Sequence, residues 1–171
     1  RLTLMDKDTG EALEGLTEEV TFIPDESQGE TTISVTVDSY ILAGHTVVAF
    51  EELSREDRLV GIHADISDED QTLRFPQIGT VATGADRSSK TVTGTTTTGI
   101  VDTIMYENLT PGKTYMAVGI LMNPETEEEF MAEGQTVTGR SEFVPQEENG
   151  TCEVLFNFDA TEYEGDVVIY E

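Results

Sequence analysis

Gly44-His45-Thr46-Val47-Val48-Ala49-Phe50-Glu51 is written a second time, in altered form, as Gly165-Asp166-Val167-Val168-Ile169-Tyr170-Glu171. Both runs are short, β-branched and aromatic, as central strands are, and both end in a carboxylate. The likeness extends outward. Phe22-Ile23-Pro24 and Gly29 recur as Phe143-Val144-Pro145 and Gly150, and Leu4-Met5-Asp6-Lys7-Asp8-Thr9 is answered by Leu121-Met122-Asn123-Pro124-Glu125-Thr126. The two closing glutamates stand 171 − 51 = 120 positions apart. That period is the length of a domain and too long for a solenoid repeat. Residues 1–51 match 118–171, so the copies are out of phase with the chain ends. The expected organisation is residues 1–74 as the back of one module and residues 75–171 as the front and middle of the next, lacking its last strand. A stiff junction is expected near Arg74-Phe75-Pro76-Gln77.

Composition narrows the function classes. Acidic residues number 35 against 9 basic ones, for a formal charge of −26. Such a field repels nucleic acid and anionic membrane surfaces, so neither is an expected partner of this segment. Apolar residues at 37% suffice for a core, and they alternate along the chain, which argues for a folded protein despite the charge. Cys152 is the single cysteine, so no intrachain disulfide framework exists. It alternates with Val154, Phe156 and Phe158 and reads as a buried structural thiol.

Alternation with a period of two runs through the chain, and helical stripes are nearly absent. Thr31 to Val37 sets Ile33, Val35 and Val37 on one face and Thr32, Ser34 and Thr36 on the other, which predicts a half-buried antiparallel strand. Asp8-Thr9-Gly10, Pro111-Gly112-Lys113 and Asn149-Gly150 supply turns. Strands at this spacing predict an all-β, antiparallel sandwich with no substantial helix. Thr91 to Thr98 reads as an exposed loop or edge strand.

Two further stretches carry a resemblance. Val48-Ala49-Phe50-Glu51 followed by His63-Ala64-Asp65-Ile66-Ser67-Asp68-Glu69-Asp70-Gln71-Thr72, together with Asp102-Thr103-Ile104-Met105-Tyr106-Glu107-Asn108-Leu109-Thr110-Pro111-Gly112, resembles the VaFE-repeat, or Thr–Gln ester-bond, modules of Gram-positive cell-surface proteins. The resemblance implies tandem immunoglobulin-like (Cna-B-like) sandwiches in the stalks of wall-anchored adhesins and pilus-like proteins. It also implies self-crosslinking, in which a threonine on the first strand attacks a glutamine side chain on the last and ammonia leaves. Carried over by residue, Thr80 matches the nucleophile, with Thr83 its nearest rival. Asp102 and the strand-closing Glu51 and Glu171 match the carboxylates, His63 the histidine and Gln71 the electrophile.

Chemistry explains the combination. An alcohol is a weak nucleophile and an amide a weak electrophile, so a base must take the hydroxyl proton and a donor must polarise the carbonyl. His63 fits the base. Two carboxyls pressed together resist double ionisation, so one can keep its proton and act as that donor. No cofactor or metal is implied. On this reading each module is incomplete: the partner of Gln71 is a threonine before Arg1, and the partner of Thr80 is a glutamine beyond Glu171. Thr80 and Gln71 belong to neighbouring modules, and no ester is expected to close within this chain. Its partners are adjacent modules of the array, or neighbouring chains if strands are exchanged. The chemistry is a single turnover on itself, not that of an enzyme. The alternatives are an adhesin module binding a host ligand, a metal or hydrolytic site, and a fibre whose esters join subunits. Asp6-Lys7-Asp8-Thr9-Gly10 resembles a calcium loop but lacks its closing glutamate and reads as a hairpin turn. Asp65, Asp68, Glu69 and Asp70 read as a solvated acidic run, and His45, absent from the second copy, as outside any shared chemistry.

Overall fold

The computed structural model describes every residue, 1–171. Two compact units divide the chain, Arg1–Pro76 and Gln77–Glu171. Both are antiparallel β, and the only helical pieces are short 3-10 turns at Ser39–Leu42 and Glu69–Gln71.

Unit 1 is one twisted sheet built on its duplicated strand. β1 (Leu2–Asp6), β2 (Ala12–Glu18), β3 (Thr46–Arg55) and β4 (Arg58–His63) lie in the order β2-β1-β3-β4, and β5 (Thr72–Arg74) also pairs with β3. Val47 and Val48 of β3 are fully buried, which is why the strand sits at the centre. The hairpin between β1 and β2 is set by Asp6, whose carboxylate accepts from the backbone N–H of Asp8 at 3.0 Å and of Thr9 at 2.8 Å. Gly10 then closes the turn at φ +71°, a conformation that costs glycine nothing.

In unit 2, β6 (Gln77–Gly84), β7 (Thr98–Glu107) and β13 (Gly150–Phe158) make one sheet in the order β13-β7-β6. The second sheet joins β8 (Tyr115–Asn123), the short β9 (Glu128–Glu129), β12 (Thr138–Phe143) and β14 (Val168–Tyr170), in the order β12-β8-β14 with β9 on β8. A small hairpin of β10 (Met131–Ala132) and β11 (Gln135–Thr136) completes the unit. The core between the sheets is Ile100, Ile104, Val154 and Phe156 from the first, against Leu121, Phe130 and Val137. Two glycines make room for it: a Cβ at Gly139 would fall 2.5 Å from Val154 Cγ1, and one at Gly119 would fall 2.7 Å from Phe156 Cζ.

The duplication is structural as well as written. Leu4 opposes Ala49 and Met5 opposes Val48, as Leu121 opposes Ile169 and Met122 opposes Val168. The turn after β1 repeats after β8, where Asn123 accepts from the N–H of Glu125 at 2.8 Å and Glu127 occupies the left-handed position at φ +58°.

One expectation fails. Thr31–Val37 is not a strand. Its parity is as read, with Ile33, Val35 and Val37 half-buried and Thr32, Ser34 and Thr36 exposed. The ladder is missing because a strand is a pairing and not a property of one segment. In unit 2 the matching segment is β13, which pairs along its whole length with β7. Unit 1 holds no copy of β7. Thr91–Thr97 has no regular structure, and the threonine run enters β7 only at the buried Thr98.

Candidate functional site

Each unit carries part of the residue set expected from the sequence, and each includes a strand-closing glutamate. In unit 2, β6 and β7 pair so that Thr80 opposes Ile104, Ala82 opposes Asp102 and Thr83 opposes Val101. Residues directly opposite in a ladder share a face. Thr80 and Asp102 therefore lie on the inner face, one ladder step apart. Thr83 lies on the other face, with its hydroxyl 3.4 Å from the Val101 carbonyl. The geometry separates the two candidate threonines, which alternation alone does not.

Asp102 is fully buried, and no N–H or hydroxyl donor reaches either of its oxygens. The group facing them is the Glu171 carboxyl. Burial, then hydrogen bonding to Asp102, then its charge push Glu171 up to about 8. Two ionised carboxylates offer each other no donor, whereas a Glu171 carboxyl that keeps its proton can donate to Asp102. The Cys152 thiol, paired across the ladder with Ile104, is pushed up by burial and by the charges of Glu171 and Asp102. A raised thiol is an inert one.

Thr80 and Glu171 line a common cleft of about 360 Å³ with Ile78, Gly79, Ile169 and Tyr170. Its walls are β6, at the edge of one sheet, and β14, at the edge of the other. The sandwich is open on this side.

Unit 1 carries the rest of that set. Glu51 opposes His63 in the β3–β4 ladder, with His63 Nδ1 3.6 Å from Glu51 Oε2. His63 Nε2 lies 2.9 Å from Asp68 Oδ2. An imidazole that donates Nε2–H to Asp68 keeps its lone pair on Nδ1, on the Glu51 side. Asp68 does a second job. Its other oxygen accepts the Asp70 N–H at 2.9 Å and caps the 3-10 turn that ends in Gln71, and its carbonyl accepts the Thr72 hydroxyl at 2.6 Å. One aspartate thus ties the histidine to the glutamine-bearing turn. Gln71 itself is half-buried. Lys7 at the end of β1 grips the same segment through Glu69 at 2.5 Å and Thr72 at 3.2 Å, and Arg74 reaches Glu69 at 2.8 Å. Lys7 and then Arg74 hold the Glu69 carboxyl down at about 2.

Asp68 is the residue the sequence reading overlooked. By sequence alone it reads, with Asp65, Glu69 and Asp70, as part of a solvated run. The fold singles it out, by setting it against His63 Nε2 and at the cap of the Glu69–Gln71 turn. His45 lies apart from this constellation, with Nδ1 2.7 Å from the buried Asp6, whose carboxyl is lowered by the Thr9 N–H and then by His45.

Comparison of the chain with curated proteins and with solved structures returns no match. A family model does match, the T-Q ester bond containing domain, over residues 1–75 and again over 76–171. The chain is therefore a tandem of two segments of the T-Q ester bond containing domain family, a family of extracellular surface-protein domains.

Proposed function

We propose that each module seals itself with one ester between a first-strand threonine and a last-strand glutamine, releasing ammonia, and that the array forms a stalk on a Gram-positive cell surface. The observation that carries this reading is the match between the halves when Glu51 is laid on Glu171. In unit 1, β5 runs along β3 with Thr72 opposite Val48. One step further in that register, Gln71 falls opposite Ala49. The duplicate of Ala49 is Ile169, which lines the cleft with Thr80. A last strand laid on β14 as β5 lies on β3 brings its glutamine into the space that Thr80 borders.

In the composite site Thr80 Oγ attacks the carboxamide carbon. His63 Nδ1 takes the hydroxyl proton and passes it to the departing nitrogen, while Asp68 holds the ring. The protonated member of the Asp102–Glu171 pair donates to the carbonyl oxygen as negative charge grows there. Strand pairing holds the reacting groups together, which removes the entropic part of the barrier. The reaction occurs once per module. Tension enters a module through its terminal strands, and a covalent bond between them carries that force past the hydrogen-bonded ladders.

The test is the intact mass of a chain extended until the module containing Thr80 includes its own last strand. We expect a deficit of one ammonia, lost in Thr80→Ala and kept in Thr83→Ala. An unmodified mass in the extended chain overturns the reading.

A further inference from the structure

We infer that Asn149 is a site of spontaneous backbone modification in unit 2. The Gly150 nitrogen closes onto the Asn149 carboxamide to give a cyclic imide, which water opens to aspartate and isoaspartate. This site is separate from the ester constellation and does not depend on it.

The chain holds four asparagines, and their surroundings separate them. Asn123 precedes Pro124, which has no N–H to give up. Leu109, after Asn108, is buried and commits its N–H to the Glu148 carbonyl at 2.9 Å. Asn157 lies inside β13, opposite Gly99. Asn149 alone is exposed, outside any strand and followed by glycine. A side chain on the following residue shields its amide nitrogen, and glycine leaves that nitrogen bare. The fold demands glycine here. A Cβ at Gly150 would fall 2.5 Å from Tyr106 Oη, and the Tyr106 ring is buried with its centroid 5.4 Å from that of Phe143. The reactive pair is thus a consequence of core packing.

Both reacting groups are placed for the closure. Gly150 and Tyr106 form the end pair of the β13–β7 ladder, and ladder ends fray at little cost, which lets the nitrogen turn toward the side chain. Asn149 Oδ1 accepts the backbone N–H of Asn108 at 3.0 Å, and Asn108 is held in the left-handed region at φ +59°. That donor faces the oxygen on which negative charge grows as the carboxamide carbon becomes tetrahedral. In the first copy the residue ahead of the matching Gly29 is Gln28, whose longer side chain must close a larger and slower-forming ring.

The Gly150 N–Asn149 Cγ bond forms, the Cγ–Nδ2 bond breaks, and the Gly150 N–H proton leaves on the nitrogen as ammonia. Water then cleaves one of the two imide C–N bonds. Cleavage at Cγ restores the main chain as aspartate, which still accepts from Asn108. Cleavage at the main-chain carbonyl leaves isoaspartate, with an extra methylene in the backbone ahead of β13 that shifts Gly150 from its place opposite Tyr106.

The experiment is incubation of the whole folded chain in mildly alkaline buffer made with heavy-oxygen water, followed by peptide mapping with fragmentation that distinguishes isoaspartate from aspartate. We expect label to accumulate at residue 149, with isoaspartate the larger product and with Asn108, Asn123, Asn157 and Gln28 unlabelled. Asn149→Gln should abolish the labelling. Asn149→Asp should melt close to the parent, and the isolated isoaspartyl form below it. Labelling that appears only when the chain is unfolded in urea, or that spreads evenly over the asparagines, overturns the proposal. An isoaspartyl chain that melts with the parent overturns the register argument. The imide carries the same ammonia deficit as an ester at Thr80, and the mapped position tells them apart, so either reading can fail without the other.

Discussion

Replacing Glu171 with glutamine tests whether the acid pair of unit 2 holds a proton near neutrality. Unfolded, Glu171 titrates near its ordinary 4.5, and folded it is pushed up to about 8. Between those values the folded state keeps a proton that the unfolded chain has released. Stability of unit 2 therefore falls as pH rises from about 4.5 to about 8, and levels off above. The full span between those values, at about 1.4 kcal/mol per unit, sets a ceiling near 5 kcal/mol. Glu171 remains exposed along the cleft, and solvent screening reduces this to about 1–2 kcal/mol. For a unit of this size that is a fall in Tm of roughly 5–15 °C. In Glu171→Gln the amide donates to Asp102 at every pH, so this component of the slope should vanish. The assay is thermal melting followed by circular dichroism at closely spaced pH values from 4 to about 9, with the variant's curve subtracted from that of the parent to remove every other titrating group. Carbon-detected carboxyl NMR on the same samples reads the Glu171 titration directly. Superimposable pH profiles for parent and variant, or a Glu171 midpoint near 4.5, would refute the argument.

Other consequences are as specific. Gly139→Ala places a methyl within 2.5 Å of Val154 Cγ1 and 3.0 Å of the Leu155 carbonyl oxygen. It should cost unit 2 about 1–3 kcal/mol in denaturant melts. Phe156→Ala empties the centre of the sandwich, where the ring is 1% exposed, and should cost about 3–5 kcal/mol. Glu127→Gly relieves a left-handed backbone at φ +58°, which Gly10 occupies in the duplicate turn, and should raise stability by roughly 0.5–1 kcal/mol in the same melts. Asp68→Ala removes the cap of the Gln71 turn and the partner of His63 Nε2. About 1 kcal/mol of local stability should be lost, read as faster amide exchange over Glu69–Thr72, and Asp68→Asn should restore most of the protection because its side-chain oxygen still caps.

Much of this protein is legible in its residues taken one neighbourhood at a time. The duplication, the antiparallel all-β class and the parity of nearly every strand are local facts, because side chains alternate faces with a fixed period. The family, too, is legible in the chain's motifs, and the family match covers the segments that carry them. Thr31–Val37 marks the limit. Its alternation names the inward face correctly, but a ladder needs a neighbour, and a neighbour is a long-range fact. The choice between Thr80 and Thr83 was undetermined for the same reason: a shift of one residue against β7 would have exchanged their faces. Asp68 could not be told from Asp65 or Asp70 until the fold placed His63 within 2.9 Å of it. The charge state of Glu171 depends on burial and on Asp102, 69 positions earlier in the chain by 171 − 102. Periodicity is written along the chain. Register, partners and protonation arise only when distant segments meet, since electrostatic and hydrogen-bond energies depend on separation in space.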